Sequence, residues 1–88
     1  MFINKAEDGT NNLCGRKITE LRTGLGISQR ILAEQLQLLG LDLGKNAISK
    51  IEIGKRFVTD VELVVFAQYF GVSIEELLGV EIKRARKK

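Results

Sequence analysis

The 88-residue chain has no histidine, no proline and a single cysteine, Cys14. Without histidine the commonest general base is missing, and so are the catalytic triads and zinc sites that need an imidazole. One cysteine excludes an intramolecular disulfide, which fits a reducing compartment. We therefore expect Cys14 to be a buried apolar residue and the protein not to be an enzyme. No metal, cofactor or small-molecule ligand is expected.

Long hydrophobic runs are missing as well. No apolar run approaches the roughly 20 residues that a membrane-spanning helix needs. The first residues of the chain lack the apolar core of a secretory signal peptide. With 44% hydrophobic and 28% charged residues, the composition is that of an ordinary globular domain. These features predict a cytoplasmic protein that does not associate with membranes.

The pattern of apolar residues predicts helices. The absence of proline leaves helix possible along the whole chain, and the glycines mostly separate stretches of helical periodicity. Apolar residues recur every three or four positions in five segments, which predicts a compact all-α domain of five short helices. The expected caps are Ser28 for the second helix, Asp60 for the fourth, and Ser73 with Glu76 for the fifth. The third helix is expected over about 45–52.

The apolar face of each predicted helix supplies the predicted core. Its members in chain order are Cys14, Ile18, Leu21, Leu25, Leu32, Ala33, Leu36, Leu39, Ile48, Ile51, Leu63, Phe66, Ala67, Phe70, Ile74, Leu77 and Leu78. The connection between the second and third helices is long for a pair of such short helices. We expect Gly40 to end the second helix, and Leu41 and Leu43 to anchor the connection to the core.

Polarity and charge suggest the domain boundaries. Residues 1–12 are polar and without periodicity, which predicts a mobile arm before a helical domain at 13–79 and a basic tail at 80–88. Residues 45–56 carry a net charge of +3, whereas residues 57–80 carry −4. A basic third helix on a protein with an acidic far end is typical of a surface that binds a polyanion. From charge alone, lysines that merely solvate a short helix are an equal alternative.

Four segments carry a more specific signal. They are Gly15-Arg16-Lys17-Ile18-Thr19-Glu20-Leu21-Arg22, Gly26-Ile27-Ser28-Gln29 with Leu32-Ala33, Ile48-Ser49-Lys50-Ile51-Glu52-Ile53-Gly54-Lys55-Arg56, and Phe70-Gly71-Val72-Ser73-Ile74-Glu75-Glu76-Leu77-Leu78. In this order they resemble the phage-repressor (lambda-repressor-like, Xre-type) helix-turn-helix DNA-binding domains. The resemblance implies that the third helix enters the major groove of double-stranded DNA while the second lies across the backbone. One departure is Gln37, which stands where the family usually has a glycine. Because the connection is also longer than in the family, the sequence leaves open whether the third helix starts at Gly44 or at Lys45.

The resemblance also implies roles for individual residues. Base contacts fall to four residues of the third helix, namely Lys45, Asn46, Ser49 and Lys50, since asparagine suits adenine and lysine suits guanine acceptors. Phosphate contacts fall to Ser28, Gln29, Lys55, Arg56 and Thr59. Solvated polar surface is the alternative for Gln29 and for the residues after the third helix. Arg22 and Glu52 match a family ion pair that joins the first helix to the end of the third and would orient the third helix.

One reading helix spans only a few base pairs, which is too few to select a single genomic site, so we expect a homodimer on DNA. The expected dimer surface lies on the fourth and fifth helices and beyond them, at Val64, Val65, Tyr69, Val80 and Ile82. Alternatively, Val64 and Val65 pack onto the N-terminal arm or the long connection.

The expected function is that of a sequence-specific transcriptional regulator, most simply a small repressor. We expect a chain of 88 residues to have no space for a ligand-sensing domain. Two alternatives stay open. In one, the same fold serves as an antitoxin that binds a toxin; in the other, it is a protein-interaction module without DNA binding.

Overall fold

Five α-helices form the domain in the computed structural model, which describes residues 9–80. Their bounds are α1 Gly15–Gly24, α2 Gln29–Leu38, α3 Lys45–Glu52, α4 Asp60–Phe70 and α5 Ile74–Leu78. No strand occurs within the described residues, and the predicted all-α fold is confirmed. No helix in this range is long and apolar enough to cross a membrane. Most of the predicted arm and tail, and Ile82 of the predicted dimer surface, lie outside the described residues.

The predicted caps Ser28 and Ser73 are observed, without a bond from the Glu76 side chain back to Ser73 among the described residues, whereas the predicted cap of α4 differs. Ser28 and Ser73 cap α2 and α5 through their hydroxyl groups. The predicted cap of α4, Asp60, is wrong, because Thr59 caps this helix and Asp60 is its first residue. The Thr59 hydroxyl accepts from the Glu62 N–H at 3.2 Å, and the Thr59 N–H donates to the Glu62 carboxylate at 2.9 Å. This reciprocal capping box satisfies two backbone donors, which a start one residue later would lose.

The long connection between α2 and α3 is held to the core. It begins at Leu39, and the next residue, Gly40, has φ of +90° and allows the Leu41 N–H to donate to the Leu36 carbonyl at 3.0 Å. This is a Schellman turn, in which a left-handed residue is normally glycine. Leu41 packs against the core and Leu43 is buried in it, as predicted. The connection then delivers the chain to Lys45 as the first residue of α3.

The core lies where the apolar faces of the helices meet. α3 packs against both α1 and α2, α4 packs against α2 and α5, and α5 also contacts α1. The buried apolar residues are Cys14, Ile18, Leu32, Leu36, Leu43, Ile48, Ile51, Phe66, Ala67 and Leu77. Burial raises the pKa of the Cys14 thiol to about 11, so it stays protonated and behaves as an apolar group.

Two predicted core residues are instead exposed. Leu25 is 57% exposed and Leu39 is 52% exposed. Both directly follow the last residue of a helix, at the end of α1 and of α2. Because the backbone leaves the helix there, helical spacing no longer places the side chain on the buried face.

Residues 10–12 differ from the predicted mobile arm, because they are hydrogen-bonded to the domain. The side-chain amide of Asn12 donates to the carbonyls of Ile51 and Arg56, at 3.1 and 2.8 Å. Asn11 donates to neighbouring carbonyls of the same region. The last carbonyls of a helix have no partner inside the helix, and Asn12 supplies one for that of Ile51, which also accepts from the Gly54 N–H. The packed domain therefore begins before residue 13.

α1 lies close to the end of α3 at Gly15, the first residue of α1. A side chain at this buried position would overlap the carbonyl oxygen of Ile51. At Gly24, the other end of α1, a side chain would meet open space. Only the first of these glycines is therefore required by packing.

Replacing Gly15 by alanine should lower the free energy of unfolding by about 1–3 kcal/mol, because the new methyl group forces α1 away from α3. The matched control is Gly24→Ala, which should raise that free energy by about 0.4–1 kcal/mol through the unfolded chain. Urea denaturation followed by circular dichroism measures both. Equal effects of the two substitutions would contradict the close approach at Gly15.

Candidate nucleic-acid interface

The recognition element predicted from the sequence, α3, has one buried face and one exposed face. Ile48 and Ile51 are fully buried and hold the helix against the core. Residues four positions apart lie on the same face of a helix, so Lys45 and Ser49, and likewise Asn46 and Lys50, lie on the side of α3 away from the isoleucines. Ser49 is half-buried there. The exposed members of this face are Lys45, Asn46 and Lys50.

Two shallow depressions within the described part of the chain lie along α3. The first is lined by Asn46, Ala47, Lys50, Lys55, Arg56 and Phe57. The second is lined by Arg22, Ser28, Gln29, Arg30 and Lys45. The fold thus brings predicted phosphate contacts from two different connections alongside the predicted base contacts. Thr59, the remaining predicted phosphate contact, lines neither depression, and its hydroxyl caps α4.

Arg22 and Glu52 form a two-point ion pair between α1 and the last residue of α3. Arg22 Nε donates to Glu52 Oε2 at 2.6 Å, and Nη2 donates to Oε1 at 3.0 Å. A third donor, Nη1, bonds to the carbonyl of Ile27 at 2.9 Å. The two side chains are only 14% and 5% exposed. The guanidinium therefore joins α1, the end of α3 and the turn that precedes α2.

Gln29 extends this cluster to α2. Its side-chain Nε2 donates to Glu52 Oε1 at 2.9 Å, so one carboxylate is shared by three helices. Burial alone would raise the pKa of Glu52, but the hydrogen bonds from Arg22 and Gln29 outweigh it and hold the pKa below its ordinary value. The pKa of Arg22 is raised by its hydrogen bond to the same carboxylate. Both groups therefore stay ionised.

The side-chain amide of Gln29 is thus occupied by a protein partner. The first N–H groups of a helix have no partner within the helix and favour an anion. The backbone at the start of α2 is consequently a better phosphate donor than the Gln29 side chain. Sequence reasoning did not foresee the bond to Glu52.

A second ion pair, between Arg56 and Glu62, was also not predicted. Arg56 Nη1 and Nη2 donate to the two oxygens of the Glu62 carboxylate at 3.0 and 3.1 Å. Burial tends to raise the pKa of Glu62, but bonds from Arg56 and the Thr59 N–H lower it overall. The only sequence signal was the Thr-x-x-Glu spacing of the capping box. The charge of Arg56, a predicted phosphate contact, is therefore neutralised inside the domain.

The lysines on α3 and just after it differ from these arginines in having no carboxylate partner in the described part of the chain. Lys45, Lys50 and Lys55 are exposed, and none of them forms an ion pair with any other described residue. Lys50 and Lys55 line the first of the two depressions along α3, and Lys45 lines the second. The face is therefore positively charged and carries unpaired donors suited to phosphate or base acceptors.

A helix-turn-helix family model matches residues 18–77. This chain belongs to the helix-turn-helix family. Over 65 residues it is 40% identical to the HTH-type transcriptional activator BcrR of Enterococcus faecalis. That match covers 74% of this chain and 29% of BcrR, so the chain spans less than a third of that relative. No solved structure matches the chain significantly. The family match includes the whole of α2 and α3 of this helix-turn-helix domain.

The lowered pKa of Glu52 predicts how stability depends on pH. Because the pKa is lower in the folded than in the unfolded chain, the carboxylate stabilises the fold above the ordinary glutamate pKa of about 4.3. This contribution is lost as the pH falls through the lowered value. We expect Glu52→Gln to reduce the free energy of unfolding by about 1–3 kcal/mol at neutral pH. The difference should shrink well below the ordinary glutamate pKa.

Urea denaturation at neutral and acidic pH measures this difference. The control is Glu34→Gln, which removes the exposed pair with Arg30, whose side chains are 67% and 58% exposed. That substitution should cost no more than about 0.5 kcal/mol at either pH. A Glu52→Gln penalty that is the same at both pH values would contradict the ionic role of Glu52.

Proposed function

We propose that this protein binds specific sites on double-stranded DNA and regulates transcription, most simply as a small repressor. The observation that carries the proposal is the exposed face of α3. It presents Lys45, Asn46 and Lys50 to solvent without ion pairs to the described residues, while its opposite face is fully buried. Membership of the helix-turn-helix family supports the same conclusion.

In this proposal the two kinds of DNA contact come from different parts of the site. Base edges in the major groove are read by Lys45, Asn46, Ser49 and Lys50. Phosphates are bound by Lys55 and by the backbone at the start of α2, around Ser28 and Gln29. Arg56 and Thr59 contribute mainly by shaping the segment between α3 and α4, since both are engaged with Glu62.

The ion pair of Arg22 and Glu52 orients α3 in this proposal and does not touch DNA. A two-point pair fixes the relative rotation of the groups that it joins. Its net contribution to stability is limited by the cost of removing both charges from water. The geometric contribution is larger, because the carboxylate belongs to the last residue of the recognition helix.

Repression is favoured over activation because it requires only occupancy of the DNA. A bound domain of this size blocks access to a promoter, and DNA binding is the activity that the described surface supports. The relative named as an activator is mostly sequence that this chain does not match. Its activating role is therefore not transferred.

We also propose a homodimer on DNA, with the α4 surface revised from the sequence expectation. Val64 is 47% exposed and Val61, three residues earlier on the same helix face, is 64% exposed. By contrast, Val65 and Tyr69 pack against the core, and the Tyr69 hydroxyl donates to Gln35 Oε1 at 2.8 Å. Val80 is 39% exposed and stays a candidate. The proposed surface is therefore centred on Val61 and Val64.

Salt dependence tests the DNA contacts. Lys55 is the lysine assigned to a phosphate, so it should contribute about −0.9 to the slope of log affinity against log salt for one protomer and about −1.8 for a dimer. Lys55→Ala should weaken binding to every sequence alike and make the slope shallower by about 0.9 per protomer. Lys50→Ala should change which sequence is preferred. Anisotropy titrations with duplexes selected from a random pool measure both effects.

The control for these substitutions is Lys17→Ala, a lysine of α1 that lines neither depression along α3. It should leave affinity and sequence preference unchanged. A slope that Lys55→Ala leaves unchanged would exclude the proposed phosphate contact, and a wild-type affinity that does not change with salt would exclude DNA binding. In that case, a protein-interaction module without DNA binding becomes the better description.

Footprinting tests the dimer. The wild-type protein should protect two patches related by a twofold axis, with centres one helical turn, about 34 Å, apart. Replacing Val61 and Val64 together by serine should require much more protein for the same protection, because the pairing surface loses its apolar contacts. Leu38→Ser is the control, since Leu38 is 86% exposed on α2. If the footprint is a single patch with one protein per duplex, and the double substitution does not change it, the protein binds DNA as a monomer and the dimer proposal is wrong.

A further inference from the structure

The carbonyl groups at the C-terminal end of α3 and just beyond it are covered by two asparagines. Four hydrogen bonds run from residues 11 and 12 to this region. Asn12 Nδ2 donates to the carbonyls of Ile51 and Arg56, the backbone N–H of Asn11 donates to that of Gly54 at 2.7 Å, and Asn11 Nδ2 donates to that of Lys55 at 2.9 Å. One carbonyl of the last turn of α3 and three carbonyls of the loop after it are thus bonded to the segment before α1.

Asn12 also binds in the opposite direction. Its Oδ1 accepts from the Gly15 N–H at 2.8 Å, at the start of α1. One side chain therefore joins the first turn of α1, the last turn of α3 and the segment that follows α3. Gly54 completes the fit, because it has φ of +82° and a side chain there would press against Thr10.

These bonds have an electrostatic consequence for the neighbouring surface. The last carbonyls of a helix carry partial negative charge and repel an approaching phosphate. The Asn12 amide binds one of these carbonyls, that of Ile51, and the asparagine amides also bind the loop carbonyls of Lys55 and Arg56 on the side of α1. The side chains of the same segment, Lys55 and Arg56, line the depression that also contains Lys50. The carbonyls of Lys55 and Arg56 therefore face the start of α1, whereas their side chains line the depression beside Lys50.

We propose that Asn11 and Asn12 are positioning residues for DNA binding. They hold the α3–α4 loop (residues 53–59) so that its carbonyls face the start of α1 and Lys55 meets a backbone phosphate. The inference rests on the proposed DNA-binding function. Both asparagines lie outside residues 18–77, the part of the chain that the family model matches. Their role is therefore derived from their own hydrogen bonds.

The two asparagines differ in how they affect the fold. Asn12 accepts from the first N–H of α1, at Gly15, as well as binding the loop, whereas Asn11 has a side-chain bond only to the Lys55 carbonyl among the described residues. Asn11 Oδ1 is buried with no hydrogen-bond partner in the described part of the chain. An unsatisfied buried acceptor offsets the gain from the donor side of the same amide. Asn11→Ala should therefore remove the contact to Lys55 with little change in the urea midpoint.

The test measures the affinity of the full chain for two duplexes, one of mixed sequence and one selected from a random pool. Asn11→Ala should make the salt slope shallower by about 0.9 per protomer, as expected for one lost phosphate contact. At about 0.1 M salt this slope corresponds to roughly eightfold weaker binding per contact, for both duplexes alike. In a Lys55→Ala background, Asn11→Ala should have almost no further effect, because it acts through Lys55.

Asn12→Asp provides a second variant. The aspartate keeps an acceptor for the Gly15 N–H but loses both donors to the loop and the end of α3, so binding should weaken with a similarly shallower slope. Gln37→Ala, an exposed amide on α2, is the control and should bind as wild type.

The outcomes separate the inference from the function on which it rests. If the wild-type chain binds neither duplex, the proposed function fails. If the wild-type chain binds DNA and both asparagine variants keep its affinity and slope, the positioning role is overturned while the function stands. Effects of Asn11→Ala and Lys55→Ala that simply add would overturn it as well, because they would show that Asn11 does not act through Lys55.

Discussion

The carboxylate of Glu52 receives hydrogen bonds from α1 and from α2 while belonging to α3. Since Glu52 is the last residue of α3, these hydrogen bonds join the C-terminal end of that helix to both of the helices that it packs against. The buried isoleucines on the other side attach α3 to the core, but apolar contacts are not directional. The hydrogen bonds of the ion pair are directional, so they add an orientation that the apolar contacts of α3 do not supply. Arg22 supplies the planar two-point donor that this role requires.

Arginine and lysine have different uses in this domain. The guanidinium groups of Arg22 and Arg56 are each paired with a carboxylate that also caps or joins helices. The exposed lysines on α3 and just after it have no carboxylate partner among the described residues. A planar guanidinium is suited to a fixed two-point contact, whereas a flexible ammonium adapts to a phosphate. Counting all basic residues near α3 as DNA contacts therefore overestimates the cationic surface.

Local patterns in the sequence were sufficient for the helices and for the two faces of α3. The cap at Ser28 and the bounds of α3 depend on residues within one helical turn, and such signals are readable from sequence. Leu39 was misplaced because periodicity does not reveal where the backbone leaves a helix. Asn12 and the pair of Arg56 with Glu62 were missed for another reason. Their bonds connect different elements, and no pattern along the chain records which carbonyl or guanidinium the fold brings near.

The bonds of Asn12 also bear on the order in which the domain is assembled. α2 and α3 are consecutive and can pair as soon as both exist, and so can α4 and α5. Asn12 is synthesised before α2, yet its partners at Ile51 and Arg56 follow that helix. Contacts that close long loops form late, because the entropy of closure must be overcome first. The bonds from Asn12 to Ile51 and Arg56 can therefore form only after α3 and the residues that follow it have been made, whereas the bond from Asn12 to Gly15 is local.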